Sequence, residues 1–152
     1  MDAKTIYLGA DHAGFDQKNV VKEHLNLQGH IVEDLGALTF DKNDDYPVYA
    51  TKVAQAVRQH PGSVGLLFCG NAEGICMAAN KFDGIRAGIG YAIEAAKTMR
   101  SDDDANILCL PGRITTNDDP LGIVDIFLTT PFSNEERHNR RLNAVSDIES
   151  RN

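Results

Sequence analysis

Three short segments of this chain join small residues to groups able to bind an anion or move a proton. Gly9-Ala10-Asp11-His12-Ala13-Gly14 sets a carboxylate and a titratable imidazole among residues that let the backbone approach a ligand. Cys69-Gly70-Asn71-Ala72-Glu73-Gly74-Ile75-Cys76 places a thiol ahead of flexible backbone amides. Those are the parts for a lowered thiol pKa, an oxyanion cradle and removal of a proton from carbon. Leu110-Pro111-Gly112-Arg113 offers a guanidinium suited to bidentate phosphate contact. Arg137, His138, Arg140 and Arg141 crowd into five positions of an otherwise acidic chain, a further candidate anion site.

Each feature also has a plainer reading. Asp11 is a natural helix cap and Glu73, if not a second base, a helix-start charge. Cys69 can be a buried inert thiol, Arg113 a surface ion pair, and the basic cluster a solvated helix face. Cys76 and Cys109 lie in core-like runs and fit the inert reading. His24, His30 and His60 fall on predicted helix or turn surfaces and receive no role.

The elements that must position these groups alternate. Apolar, β-branched runs predict strands at Thr5 to Gly9, Ile31 to Leu35, Val64 to Cys69, Ile85 to Gly90 and Asn106 to Leu110. Helical spacing predicts helices at Phe15 to Leu27, Pro47 to Gln59, Glu73 to Asn80, Ala92 to Arg100 and Pro120 to Thr129. Repeated βαβ units with right-handed crossovers give a three-layer, doubly wound, five-stranded parallel sheet of Rossmann-like α/β class. Ligands then belong at the carboxyl ends of the strands, where the first three segments lie. From Ser133 an extra helix is expected, with Leu142, Val145 and Ile148 spaced by three. It either packs on a second subunit or frays.

A chain of 152 residues with no low-complexity tract reads as one domain, residues 1–152, with 133–150 as the added helix. Three cysteines form neither a disulfide framework nor a paired metal motif, and no leader or membrane-spanning run is evident. A cytoplasmic protein is the expectation. The net charge of -7 argues against a nucleic-acid partner, which needs a basic face. A dinucleotide-binding reading is weak, because Gly9-Ala10-Asp11-His12 puts a carboxylate where a pyrophosphate would lie.

Five motifs in order and spacing resemble the ribose-5-phosphate isomerase B and galactose-6-phosphate isomerase family. They are Gly-Ala-Asp-His-Ala-Gly at 9–14, Asp-Tyr-Pro at 45–47, Cys-Gly at 69–70 with Ala-Ala-Asn-Lys at 78–81, Gly-Ile-Arg-Ala at 84–87, and Thr-Pro-Phe with Arg-His between 130 and 138. The resemblance covers about Ile6 to Arg141. It implies a cofactor-free, metal-free aldose-ketose isomerase of a sugar phosphate, ribose 5-phosphate by default, working as a homodimer or tetramer with active sites shared between subunits. By that resemblance Cys69 is the proton-transfer base acting through an enediolate, with the amides from Gly70 to Gly74 holding the oxyanion. His12, Arg113, Arg137 and Arg141 match substrate or phosphate contacts, with Asp11 and Tyr46 on sugar hydroxyls and His138 reaching into a neighbour's pocket with the arginines.

Five positions, in three places, depart from the family pattern. Ile75 stands where a second branch has a glutamate base, which excludes that variant. Asn71 and Ala72 stand for the usual Thr or Ser and Gly, and Asn71 remains a hydrogen-bond donor. Asp102 and Asp103 stand for the ring-opening histidine and a substrate-binding asparagine. Asp102 either takes over the acid-base role, or the substrate is a sugar phosphate that needs no ring opening, such as a tetrose phosphate. A hexose phosphate substrate and a binding protein without turnover are the remaining alternatives.

Overall fold

In the computed structural model, which describes residues 4–152, strands and helices alternate from β1 (Thr5–Ala10) to α6 (Glu136–Glu149). Between them run α1 (Phe15–Leu27), β2 (Ile31–Asp34), α2 (Tyr46–Gln59), β3 (Val64–Cys69), α3 (Glu73–Ala79), β4 (Ala87–Ile89), α4 (Ile93–Ser101), β5 (Ile107–Pro111) and α5 (Pro120–Thr129). All five strands are parallel, in the order β2-β1-β3-β5-β4.

Side-chain alternation along the strands builds two cores. Ile6, Leu8, Leu66, Phe68, Leu108 and Leu110 face Val21 and Leu25 of α1, Ala96 of α4 and Phe127 of α5. Tyr7, Leu67, Ile107 and Cys109 point the other way, against Val53 and Val57 of α2 and Ile75 of α3. Every residue of β3 is buried, as expected of a central strand covered on both faces.

Most predicted boundaries hold within a residue or two. Strand β4, predicted from Ile85, pairs with β5 at Ala87, Gly88 and Ile89. Ile85 N–H instead closes a turn onto Phe82, and the Arg86 N–H donates to the Asn106 side chain while its carbonyl receives Ile107 N–H of β5.

The last helix lies along the amino ends of the strands. Ser133 N–H donates to the carbonyl of Ser101 at the end of α4, and Glu149 receives Gly84 N–H at 3.1 Å just before β4. Both anchors are at the edge opposite Cys69. Val145 and Ile148 of this helix stay exposed.

Candidate active site

The three strand-end segments are laced together at the carboxyl edge. Gly112 N–H donates to the Cys69 carbonyl at 2.8 Å and Arg113 N–H to that of Gly70 at 3.0 Å, which carries the β3–β5 pairing past the strand ends. A Cβ at Gly112 would lie 2.1 Å from the Ala13 carbonyl oxygen, so only glycine lets these loops touch. Together they wall a cleft of about 420 Å³ lined by Asp11, His12, Tyr46, Cys69, Asn71 and Arg113, among others. A larger hollow of about 950 Å³ at the amino edge brings Tyr7, His30 and His60 together, but its lining holds neither thiol nor guanidinium.

Cys69 ends the central strand and is 3% exposed. The expected low thiol pKa is not what the surroundings produce. Burial pushes the Cys69 thiol up, outweighing the amides of Ile75, Ala72 and Asn71 that point at the sulfur, and the Asp11 charge adds to the rise. The amide cradle is therefore present, but desolvation wins in the free protein. Ile75 and Ala72 are fully buried behind the loop.

Asn71 lines the cleft, and its side chain is engaged within its own loop. Its side-chain N–H donates to Glu73 at 3.0 Å, and its oxygen receives Glu73 N–H and faces the Cys69 thiol at 3.8 Å. Gly74 carries the ring of Tyr46: a Cβ there would lie 2.8 Å from Tyr46 Cζ, so the close approach of ring to loop depends on glycine. Asp11 does act as a local cap, receiving the amides of Ala13 and Gly14 on one oxygen. Arg113 is exposed and lies along Gly70, with its guanidinium over the cleft.

The remaining predicted residues lie elsewhere. Helix α4 runs back from the carboxyl edge, so Asp102 and Asp103, which follow it, sit at the amino edge with α6. A six-residue strand rises roughly 17 Å, farther than any side chain of α6 could reach to the cleft of its own chain. Asp102 is half-buried and receives the Ser101 hydroxyl at 2.6 Å, while Asp103 is exposed. Arg137 and Arg141 are exposed on α6, Arg137 held by Glu135 at 2.8 Å. His138 is 4% exposed in the single chain and its Nδ1 pairs with the Ser133 hydroxyl at 2.7 Å, which ties α6 to the segment before it. Within one chain the predicted site is thus two half-sites at opposite poles of the sheet.

Asp44 was not singled out by the sequence. It lies beside Asp11 and His12, which line the cleft, and ligand atoms of the three lie within 4.8 Å of one another. This cluster is hydrogen-bonded rather than open for a metal, since Asp44 Oδ1 already shares a proton with His12 Nδ1 at 2.8 Å. Three aspartates crowd the loop at 41, 44 and 45, and nothing in their spacing marks which one turns inward.

The family model described as Ribose/Galactose Isomerase matches residues 6–145. Ribose-5-phosphate isomerase B of Mycobacterium tuberculosis is 38% identical over 98% of this chain and 92% of its own length. Probable ribose-5-phosphate isomerase B of Mycoplasma pneumoniae is 41% identical over 92% of this chain and 91% of its own. The crystal structure of ribose-5-phosphate isomerase B from Mycoplasma genitalium with bound ribulose-5-phosphate superposes with a TM-score of 0.91 at 38% identity, covering 97% of both chains.

Proposed function

The chain belongs to the ribose/galactose isomerase family, and from that premise we propose how its cleft works. It is an aldose-ketose isomerase that interconverts ribose 5-phosphate and ribulose 5-phosphate. The observation that carries this reading is the cleft itself, where the Cys69 thiol, the amides around it and the Arg113 guanidinium converge in a chain so similar to an isomerase holding ribulose-5-phosphate.

Cys69, as thiolate, takes the proton from C2 of the open-chain aldose. The electron pair forms the C1–C2 double bond of an enediolate, and negative charge gathers on O1. Backbone amides between Gly70 and Gly74 receive that charge. The sulfur returns its proton to C1, and transfer of the O2 hydroxyl proton to O1 completes the ketose. A positioned base supplies about 10²- to 10⁴-fold in such a step, and the amide donors a comparable factor. Asp11 and Tyr46 hold sugar hydroxyls; His12 and Arg113 hold the phosphate end. Asn71 contributes its place in the loop, and its side chain only on leaving Glu73.

A second copy of the chain completes the site. Arg137, Arg141, Asp102 and Asp103 of one copy are set at the amino edge, where they can meet the carboxyl-edge cleft of another. A homodimer or tetramer with shared sites follows, with α6 and His138 as its scaffold. Exposed apolar residues on α6 and around the cleft, such as Val145, Ile148, Val48 and Met77, supply surface for that contact. The three free thiols suit a reducing, cytoplasmic setting. Among the described residues no helix is long and apolar enough to cross a membrane.

Replacing Cys69 by Ser or Ala should abolish interconversion while phosphate-ester binding survives; an undiminished rate would remove the thiol from the mechanism. One observation favours a second substrate. Asp102, where relatives of this type carry the ring-opening histidine, is bonded to Ser101, which suits an acyclic tetrose phosphate. Rates on ribose 5-phosphate and erythrose 4-phosphate, measured side by side, decide between them.

A further inference from the structure

Asp44 takes part in none of the steps above, yet it is held behind His12 of the cleft by three donors. Its Oδ1 receives both the backbone N–H and the ring Nδ1 of His12, each at 2.8 Å, and its Oδ2 receives the Tyr49 hydroxyl at 3.0 Å. The Asp44 side chain is only 8% exposed and that of His12 25%. Burial alone would raise Asp44, but the bonds from His12 and Tyr49 outweigh it and hold the carboxyl below its usual range. Tyr49 is pushed up to about 12, by burial first and then by its bond to Asp44, so the phenol stays a donor.

An ionised carboxylate can only accept, so Nδ1 of His12 must carry a proton and Nε2 is the nitrogen left over. The ring cannot swing freely, because the backbone N–H of the same residue is tied to the same oxygen. The edge of Phe40 packs against the imidazole at 6.5 Å between centroids, closing a further side. The other charged neighbours are Asp11, in the same cluster, Asp41, whose charge also acts on Tyr49, and Lys52, which lies over the Tyr49 ring at 5.6 Å.

We propose that Asp44 is the positioning residue for His12: it fixes the ring's rotation and occupies Nδ1, so that Nε2 is the nitrogen presented to the phosphate of the substrate beside Arg113. The inference rests on the isomerase reading for its substrate, but not for its geometry. Flanked by a carboxylate at Nδ1 and a phosphate dianion at Nε2, the ring donates from both nitrogens, a pair of charge-assisted bonds. Tyr49 completes the device by holding the second oxygen of Asp44, which keeps the carboxylate plane from turning.

Asp44→Asn preserves the shape and removes the charge. The expected result is a rise of about tenfold in KM for ribose 5-phosphate, and in the dissociation constant of inorganic phosphate, with kcat changed by less than about threefold. His12→Ala should weaken phosphate by a similar factor, and the double variant should be no weaker than His12→Ala alone, because Asp44 acts only through the ring. Nitrogen-15 NMR of the imidazole supplies a readout that a purely structural role would not move. The wild-type ring should show a protonated Nδ1, and Asp44→Asn should shift the resonances toward the Nε2-protonated form.

Additive losses in the double variant, or imidazole resonances unchanged by Asp44→Asn, overturn the proposal. If Asp44→Asn proves poorly folded, Tyr49→Phe removes one donor from the carboxylate and should move both readouts the same way by less; no movement overturns the proposal as well. Should the wild-type protein not turn over ribose 5-phosphate, the isomerase reading fails. The NMR and inorganic-phosphate measurements then still decide the role of Asp44.

Discussion

Mixing two inactive variants tests whether the two poles of the sheet work together. Cys69→Ala removes the base at the carboxyl edge, and the double change Arg137→Ala with Arg141→Ala strips the amino edge. Each should be inactive alone. When the two are unfolded together in equal amounts and refolded, copies reassort at random. A shared site is intact when its cleft comes from the arginine variant and its arginines from the cysteine variant. Each condition holds in about half of all pairings, so about a quarter of wild-type activity should return, for a dimer or any larger ring of such contacts. The cleft and the arginines of one chain are separated by the full length of β3, roughly 17 Å, which is why no single chain can satisfy both conditions. Turnover of ribose 5-phosphate in the mixture, against the separately refolded variants, is the assay. No recovery, with hybrids shown to form by mass spectrometry, would refute the two-pole arrangement.

Lys18 is fully buried and pairs with Asp34 at 2.8 Å, while donating also to the Ala37 carbonyl under the loop that carries Asp44. Lys18→Met should cost about 3 kcal/mol, near the low end for breaking a buried pair because Lys22 still reaches Asp34, or about 6 to 12 °C in Tm at a fixed protein concentration. Burial alone would raise Asp34, but Lys18, the Gly36 amide and Lys22 hold it low. Its stabilising share is therefore present above the unfolded carboxylate value of about 3.9 and is lost as pH falls through the lower folded value. In Lys18→Met the folded value of Asp34 moves back toward the unfolded one, so the acid-side fall in stability should shrink, as read by urea titrations; an unchanged acid limb would refute this. Gly112→Ala should cost stability by about 1 to 3 kcal/mol, because its Cβ meets backbone at Ala13, and should lower kcat with it. Because burial holds the Cys69 thiol protonated and only the thiolate accepts a proton, kcat/KM should climb with pH through the neutral range. A plateau below the ordinary thiol value of about 8.5 would count against Cys69 as the base.

Much of the site was readable because its positions follow from element order. The unbroken apolar run from Val64 to Phe68 placed Cys69 at the tip of a central strand, and the βαβ alternation placed Asp11 and Arg113 at the same edge. That alternation also fixes Asp102 at the opposite edge, since it ends a helix that returns from the carboxyl side. What escaped was solvation and orientation. The amides near Cys69 are visible in a sequence; the exclusion of water that overrides them is not. A lysine at position 18 carries no sign that it will be fully buried, and His138 reads as a ligand until its ring is seen against Ser133.

The charges give a reason for the proposed sharing of the site between copies. The cleft of a single copy is lined by Asp11, with Asp44 behind it, and by Arg113 as its guanidinium, on a protein of net charge -7. A phosphate dianion entering there meets one guanidinium against two nearby carboxylates, and the Asp11 charge also holds the thiol up. Arg137 and Arg141 are exposed at the far pole, Arg137 held by Glu135. On the proposed arrangement, the same two guanidiniums, brought over the cleft of a second copy, would bind the dianion and offset the field of Asp11 at the sulfur. Substrate affinity and base strength then fail together when the arginines are removed, a joint loss that a remote structural contribution from α6 would not produce.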